Sequence, residues 1–237
     1  MPGIFLSAEW RHLAMLNYEI DPAILKSRLP AGTEIDLFNG KALVSIVGFQ
    51  FLKTRVLGIP IPFHMNFPEL NLRFYIKRKH SNGDRRAVAF VKELVPRFAI
   101  AFVARTLYNE NYVSLPMRHS LQQNDAGIAA GYEWKIGGSW EKIGMRCAGA
   151  AAIPPKGSAA EFITEHYWGY AAQTRGGTME YQVAHPQWRT WEAQSFEFDA
   201  DVKRLYGPEF APFLSAKPVS AIFAEGSPVT VSKGVKF

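Results

Sequence analysis

One short segment of the chain concentrates the side chains that could do chemistry. From residue 69 to residue 77 polar and apolar residues alternate strictly, and the polar ones are Glu69, Asn71, Arg73, Tyr75 and Lys77. Successive side chains of a β-strand point to opposite faces, so these five share one face and the four apolar residues share the other. If the polar face lines a cavity, it is a surface for binding or catalysis, whereas in water it is an ordinary solvated sheet.

Glu69 and Arg73 lie four residues apart on this face and have two interpretations. On an exposed strand they form a surface ion pair that contributes ~0–1 kcal/mol. In a cavity they supply a buried carboxylate, suited to act as a general base, and a substrate-facing guanidinium. Tyr75 and Tyr112 can donate hydrogen bonds to a substrate oxygen, but tyrosine is also common in half-buried sheets.

A second arginine, Arg105, follows the apolar run 98–104. Its guanidinium suits bidentate binding of a carboxylate. It is equally placed to pair with Glu110, and the sequence does not separate these alternatives.

Other catalytic and cofactor motifs are missing from the sequence. The six histidines have no metal-ligand spacing, and His166 and His185 have the settings of structural histidines. The glycine pairs at 137–138 and 176–177 are interpreted as turns, because no helix start with Lys-Ser or Lys-Thr follows them. We therefore expect neither a metal ion nor a cofactor.

The composition is that of a folded, aromatic-rich domain. The 237 residues are 48% hydrophobic, 20% charged and 14% aromatic, which argues against global disorder and favours sheet. The net charge of +6 is scattered, and its densest group, residues 78–79 with 85–86, flanks the turn signal Asn82-Gly83. We interpret that group as a solvated hairpin tip and expect no nucleic-acid partner.

The single cysteine, Cys147, excludes a disulfide within the chain and fits a reducing compartment. Its alanine- and glycine-rich surroundings favour a small buried hydrophobe rather than a nucleophile. The first residues lack the pattern of a signal peptide, and no apolar run approaches about 20 residues, so no membrane partner is expected. The expected location is the cytoplasm.

Turn and strand signals divide the chain into roughly ten or more short strands and three helical segments. Strands are predicted at 10–18, 43–52, 69–79, 85–93, 98–106, 127–135, 139–147, 179–183, 191–198, 221–224 and 229–231. Helices are predicted at 21–30 behind an Asp21 cap, at 158–174 behind a capping box formed by Ser158 and Glu161, and at 201–213 in two pieces. The predicted class is α+β, predominantly β, with a closed or nearly closed sheet that leaves interior space for a ligand.

Several motifs spread over most of the chain occur together in one family. The most specific is the run Glu69-Leu70-Asn71-Leu72-Arg73-x-Tyr75. The others are Trp10, Leu13, Tyr18, Leu29-Pro30-x-Gly32, Asp36, Gly40, Phe49, Gly58, Phe67, Ala104-Arg105, Tyr112, Met117, Glu165-x-Tyr167-x-x-Tyr170 and His185-x-x-Trp188. With these motifs the chain resembles the YqjF-like family of uncharacterised bacterial proteins.

The resemblance implies the fold of the acetoacetate decarboxylase superfamily, a cone-shaped β-barrel with a central cavity and a few short peripheral helices. Residues 1–237 would form it as a single domain. In the decarboxylases a lysine, activated by a neighbouring lysine, forms a Schiff base with a β-keto acid. This chain has no Lys-Lys pair, and Asn111-Tyr112 in the loop 108–116 stand roughly where the pair is expected. Schiff-base chemistry is therefore not expected, and Lys92 is expected to face water.

The expected function is the binding of a small organic acid or carbonyl compound inside the barrel. If the protein is an enzyme, we expect acid–base chemistry of a lyase or isomerase kind. The expected catalytic residues are Glu69, Arg73 and Tyr112, and the expected substrate-binding residues are Asn71, Tyr75 and Arg105. The alternative is a non-catalytic small-molecule-binding protein, and self-association into a homo-oligomer is left open.

Overall fold

β-Strands make up most of the chain. The computed structural model describes residues 3–98, 111–174 and 176–237. Within these ranges the strands are β1 (Ile4–Ile20), β2 (Glu34–Ile35), β3 (Ala42–Val56), β4 (Ile59–Pro60), β5 (Phe67–Arg78), β6 (Arg85–Val95), β7 (Tyr112–Ser114), β8 (Met117–Asn124), β9 (Gly127–Ile136), β10 (Ser139–Ala148), β11 (Trp168–Ala172), β12 (Thr178–Ala184), β13 (Thr190–Glu192), β14 (Ser195–Asp199), β15 (Ser220–Ser232) and β16 (Val235–Lys236). The helices are α1 (Pro22–Leu25), α2 (Ala159–Thr164), α3 (Val202–Tyr206) and α4 (Ala211–Leu214), with a 3₁₀ turn at Lys26–Arg28. The predicted α+β class, predominantly β, is confirmed.

Seven of these strands close into a ring. Neighbouring strands pair in the order β15-β1-β3-β5-β6-β11-β12, and β12 returns to β15 through the pairs Val183–Val231 and Ala184–Thr230. These pairings are antiparallel except that of β6 with β11. A sheet closed in this way encloses an interior, as the strand pattern of the sequence predicts.

A second sheet, in the order β14-β10-β9-β8, packs on one face of the ring. The main apolar core lies between the two sheets and joins Leu70, Leu72 and Phe74 of β5 to Tyr132 of β9. Gly48 of β3 permits this packing, because a Cβ atom there would lie 2.6 Å from Cδ2 of Tyr132. One face of β5 therefore packs against this core, and the other face points into the interior of the ring.

Most of the predicted elements are present. Helix α1 begins as predicted, because Asp21 Oδ1 accepts a hydrogen bond from the Ala23 N–H at 2.8 Å and Pro22 takes the first turn. The β5–β6 and β9–β10 hairpins lie where they are predicted, and α3 and α4 are the two pieces predicted at 201–213. The two strands predicted near the end of the chain form one strand, β15. The strand predicted at 98–106 lies almost entirely outside the described residues.

The long helix predicted at 158–174 is wrong beyond Thr164. Ser158 does cap α2, since its Oγ accepts from the Glu161 N–H at 3.2 Å, but residues 168–172 form strand β11 between β6 and β12. Aromatic residues and glycine are weak helix formers, so strand pairing prevails in this segment. Gly169 also makes room for the ring of Tyr181 on β12, because a Cβ atom there would lie 2.2 Å from Tyr181 Cζ.

The basic group at the β5–β6 hairpin is only in part the solvated tip that the sequence predicts, because Lys79 is exposed but the three arginines are paired. Arg78 and Arg85 both bind Glu180 of β12, at 2.9 and 2.5 Å. Arg86 binds Asp36 at 2.8 Å, and its guanidinium carbon lies 4.6 Å from the centre of the Phe162 ring. The three arginines are half-buried because β12 and α2 pack alongside the hairpin, a long-range contact that local sequence does not encode.

Cys147 lies in the core, as predicted. Burial raises the pKa of its thiol to about 11, which disfavours the thiolate near neutral pH. Among the helices of the described residues, none has the length and apolar character needed to cross a membrane.

Candidate functional site

The ring encloses a cavity of about 320 Å³. Strands β1, β3, β5 and β6 build much of its wall, and further residues come from the end of α2, from strands β7, β11, β12 and β15, and from loops. Its lining includes the aromatic residues Phe5, Trp10, Phe49, Phe51, Phe67, Phe90, Trp168, Tyr181 and Trp188. Its buried polar lining includes Glu69, Asn71, Arg73, Glu93, Tyr112, Thr164 and His166. An apolar wall with a few convergent polar groups is the usual form of a small-molecule site.

Strand register brings the polar residues together. Glu69, Asn71 and Arg73 alternate along β5 and so face the interior. The β5–β6 pairing sets Asn71 opposite Glu93, and the parallel β6–β7 pairing sets Glu93 beside Tyr112. Two carboxylates, an amide, a guanidinium and a phenol therefore come from three neighbouring strands.

Glu69 is held in one orientation. The residue is only 2% exposed. Asn71 Nδ2 donates to Oε1 at 3.2 Å, and the Tyr112 hydroxyl donates to Oε2 at 3.3 Å. Donors on both oxygens fix the carboxylate plane within the cavity, as a general base requires. The interpretation of this residue as part of a solvated surface does not apply.

Arg73 is a buried cation that contacts neutral groups: besides a backbone carbonyl, these are Met15 Sδ, 3.8 Å from Nη2, and the Tyr75 ring, whose centre lies 5.7 Å from the guanidinium carbon. The residue is 8% exposed, and Nη2 donates to the Ile163 carbonyl oxygen at 3.2 Å. Among the described residues its guanidinium has no ion pair with a carboxylate, and its Nε has no hydrogen-bond partner. Burying an unpaired charge costs several kcal/mol. A ligand anion inside the cavity would supply the missing partner.

The other polar residues of the segment, and Arg105, have different positions. Tyr75 lies on the same face as Arg73 but does not line the cavity; its hydroxyl bonds with that of Ser45, and its ring packs against Phe162. Lys77 is partly exposed and lies 3.6 Å from carboxylate oxygens of both Glu34 and Asp84. The polar stripe therefore leaves the cavity beyond Arg73. Arg105 and its suggested partner Glu110 lie outside the described residues.

His166 joins the cavity wall although its sequence setting suggests only a structural role. It is buried, with Nε2 at 3.4 Å from Asp36 Oδ2, and Nδ1 has no hydrogen-bond partner among the described residues. Burial lowers the pKa of His166 to about 4, against the opposing attraction of Asp36. The imidazole is therefore neutral near pH 7. For Asp36, burial acts to raise the carboxyl pKa, but the neighbouring His166 and the hydrogen bond from Arg86 outweigh it and lower the pKa.

Glu93 is a second carboxylate that the sequence does not single out. It is buried and lines the cavity from β6. The available signal is a lone acid inside a long apolar strand. Its neighbour Lys92 points to the other face, where its ammonium donates to the Leu205 carbonyl; burial lowers the pKa of this lysine. The expectation that Lys92 faces water is therefore wrong, because α3 covers it.

Aromatic residues near the end of the chain complete the wall. Trp188 and Trp168 line the cavity, and His185 stacks on Trp188 with 4.2 Å between ring centres. Burial lowers the pKa of His185, with an opposing hydrogen bond to the Pro186 backbone. Trp191, by contrast, belongs to the core between the sheets. The aromatic residues of this part of the chain are thus divided between the cavity wall and the core.

The site offers carboxylates, donors and one cation, and no lysine lines it in the part of the chain that the structure describes. Nor do any three His, Cys, Asp or Glu side chains come together there as ligands for a metal ion. The arrangement can bind an anion at Arg73 and accept a proton at Glu69.

The fold is that of the acetoacetate decarboxylase-like enzymes. The chain matches such an enzyme from Sphingomonas wittichii RW1 with a TM-score of 0.67 at 12% identity, over 98% of this chain and 92% of the other. It matches the acetoacetate decarboxylase of Legionella pneumophila with a TM-score of 0.65 at 15% identity, over 100% and 88%. A third match is the enduracididine biosynthesis enzyme MppR complexed with the condensation product of pyruvate and imidazole 4-carboxaldehyde, with a TM-score of 0.67 at 12% identity, over 100% and 90%. Identities this low show a common fold and leave the chemistry open.

Within that fold the chain belongs to the DUF2071 family, described as an uncharacterized conserved protein, whose family model matches residues 7–228. The uncharacterized protein YqjF of Bacillus subtilis (strain 168) is 34% identical over 83 residues, which are 34% of this chain and 34% of YqjF. The matched stretch is thus about a third of that relative. The resemblance to YqjF-like proteins, and the superfamily fold that it implies, are confirmed.

Proposed function

We propose that this protein binds a small organic acid or a related carbonyl compound in the ring cavity and performs acid–base chemistry on it without a Schiff base. The observation that carries the proposal is Arg73, a buried guanidinium without an anionic partner among the described residues, on the same cavity wall as an oriented carboxylate. A buried polar group without a partner, in a cavity, is a candidate for contact with a ligand.

Each polar residue receives a role from its contacts. Arg73 binds the ligand carboxylate through Nε, which has no hydrogen-bond partner among the described residues. Glu69 takes a proton from the carbon next to the ligand carbonyl, and the bonding electrons move onto the carbonyl oxygen to give an enolate. Asn71 and Tyr112 orient Glu69 by donating to its two carboxylate oxygens. Once Glu69 has taken the proton, the Tyr112 hydroxyl turns from it to donate to the enolate oxygen. Isomerisation, cyclisation and dehydration all begin with this proton transfer.

One further observation supports chemistry without a Schiff base, and another supports a keto acid as the ligand. The cavity lining offers no lysine among the described residues, so an imine has no amine to form on. Among proteins of the same fold, MppR has been found complexed with pyruvate, an α-keto acid. That protein shares 12% identity with this chain, so its ligand serves only as a guide to the first compounds to test.

The test combines calorimetry with proton exchange. Titration of the protein with α-keto and β-keto acids measures binding, and NMR in D₂O measures exchange of the proton next to the carbonyl. Arg73→Met is expected to weaken binding at least tenfold, about the worth of one charged hydrogen bond. Glu69→Gln is expected to abolish exchange while binding stays within about threefold.

Lys77→Met is the matched control, because Lys77 lies on the same face of β5 but outside the cavity. It is expected to leave binding and exchange unchanged. Binding without exchange would favour the alternative of a non-catalytic binding protein. Failure of every acid to bind, or binding that ignores Arg73→Met, would refute the proposal.

A further inference from the structure

We infer that the ligand is an amphiphilic acid: a keto acid whose carboxylate meets Arg73 and whose aromatic or long aliphatic body fills the rest of the cavity. This inference rests on the proposed function and narrows its substrate class. The inference disfavours a short, wholly polar keto acid, because such an acid would occupy only the part of the cavity next to Arg73.

The β3–β5 register gives the cavity two ends. Arg73 is paired with Ser45 and Asn71 with Val47, whereas nearer to the β3–β4 turn Glu69 is paired with Phe49 and Phe67 with Phe51. The facing pairs thus change from polar to aromatic along one direction. At a rise of about 3.3 Å per residue, Phe67 lies roughly 20 Å along the strand from Arg73. A ligand anchored at Arg73 therefore has its body directed toward rings.

The aromatic end is a continuous wall. Phe51 and Phe67 stack with 4.7 Å between ring centres, and the Trp10 ring centre lies 5.6 Å from that of Phe51 and 5.7 Å from that of Phe49. Trp188 extends the wall, at 6.5 Å from Trp10. A short acid would leave this surface in contact with water. An apolar body covers it, and each added methylene buried there tightens binding about fourfold.

The apolar lining also continues to the outside. Ile61, which lines the cavity, is itself exposed, and it follows Ile59 and precedes Phe63, which is 85% exposed. The segment from Lys53 to Pro68 contains no acidic residue. A ligand body longer than the cavity therefore meets further apolar surface at the opening, so long bodies are accommodated as well as short ones.

The experiment is a homologous series measured by calorimetry on the full chain. Pyruvate, α-ketocaproate, α-ketocaprate and α-ketolaurate share one head group and differ only in the length of an unbranched chain, and the longest extends from Arg73 toward the aromatic end. We expect affinity to rise along the series by about fourfold for each methylene that is buried, and phenylpyruvate to bind more tightly than pyruvate. The heat capacity of binding is expected to become more negative along the series.

Paired variants locate the effect on the structure. Phe67→Leu, at the aromatic end, is expected to reduce the gain per methylene and to leave pyruvate affinity within about twofold. Phe74→Leu is the matched control, because it removes the same atoms from the opposite, packed face of β5. It is expected to leave the whole series unchanged. Phe51→Met provides a second variant at the aromatic end if Phe67→Leu does not fold.

The outcomes distinguish failure of the amphiphilic-ligand inference from failure of the proposed function. Affinity that stays flat or falls along the series, while Arg73→Met still abolishes binding, would overturn the amphiphilic ligand and leave the proposed function standing. Phenylacetone, which has the phenyl body and the ketone but no carboxylate, tests the head group. If it binds as tightly as phenylpyruvate, the role of Arg73 and with it the proposed function is refuted.

Discussion

The two faces of strand β5 are both buried and are built in opposite ways. On one face Leu70, Leu72 and Phe74 are fully covered by side chains of the second sheet. On the other, Glu69 and Arg73 line the cavity. The strand therefore separates a tightly packed apolar core from a space that holds charges.

The polar groups on the two sides differ in the same way. In the packed core the Trp134 indole donates to Glu141 at 2.8 Å, and the Tyr132 hydroxyl donates to the His12 carbonyl at 2.6 Å. On the cavity side, Arg73 Nε and His166 Nδ1 have no partner among the described residues. A buried polar group without a partner is costly, so its presence beside the cavity indicates a ligand-dependent role. In the packed core the Tyr206 hydroxyl also lacks a partner among the described residues, but that group is neutral, whereas Arg73 is charged.

The largest effect that tests this contrast comes from matched leucines. Leu70 lies in the packed core and Leu13 borders the cavity, and both are almost fully buried. Leu70→Ala is expected to lower the free energy of unfolding by about 4 kcal/mol, within the usual range for core leucines. Leu13→Ala is expected to cost about 2 kcal/mol, because a side chain beside empty space loses fewer contacts.

Urea denaturation of both variants measures the difference. The m-values are expected to equal that of the natural sequence, so that the midpoints report stability. Equal losses for the two leucines would mean that the cavity wall is packed as tightly as the core. The contrast between the two faces of β5 would then be lost.

A smaller effect follows from His166 and depends on pH. Its pKa is lowered to about 4 in the folded protein and is about 6.5 when unfolded, so the unfolded chain binds the proton more tightly. Its contribution to stability is therefore complete above pH 6.5 and is lost as pH falls toward 4, by up to about 3 kcal/mol. The charged groups acting on it are Asp36, which opposes the shift, and Arg86 and Arg73, which favour it.

Denaturation of His166→Gln between pH 4 and pH 7 checks this sign, because glutamine does not titrate. The variant is expected to have a shallower loss of stability toward acid than the natural sequence. His80→Gln at the hairpin tip is the control and is expected to keep the steeper profile. A His166→Gln profile parallel to that of the natural sequence would show that this histidine is not buried in its neutral form.

Local patterns predicted much of this architecture. The strict alternation from Glu69 to Lys77 identified β5 and its polar face, and the Asp21-Pro22 pair identified the start of α1. Both signals reside within a few neighbouring residues. The register of β5 then brings Glu69, Asn71 and Arg73 into one cavity.

The features that sequence could not supply depend on distant pairing. Glu93 reaches the site only because β6 lies between β5 and β7, and residues 168–172 become a strand only because β6 and β12 flank them. Tyr75 shares the polar face but is covered by Phe162 from α2. Such contacts join segments tens of residues apart, which local periodicity does not record.

The smallest and most diagnostic effect is one of opposite sign at Arg73. Without ligand the guanidinium is buried and lacks an anionic partner in the described structure, so Arg73→Met removes an unpaired charge and fills similar volume. The variant is expected to gain about 1–2 kcal/mol of stability, which raises the melting temperature by about 2–8 °C for a domain of this size. Arg73→Lys keeps the positive charge and is expected to give no gain.

Calorimetric melting without ligand measures both variants. A melting temperature that falls in Arg73→Met would mean that this arginine stabilises the empty protein, and then its burial would no longer argue for a ligand anion. If the gain in stability accompanies the loss of keto-acid binding, the same side chain is costly to the fold and necessary to the site, as expected of a residue kept for function.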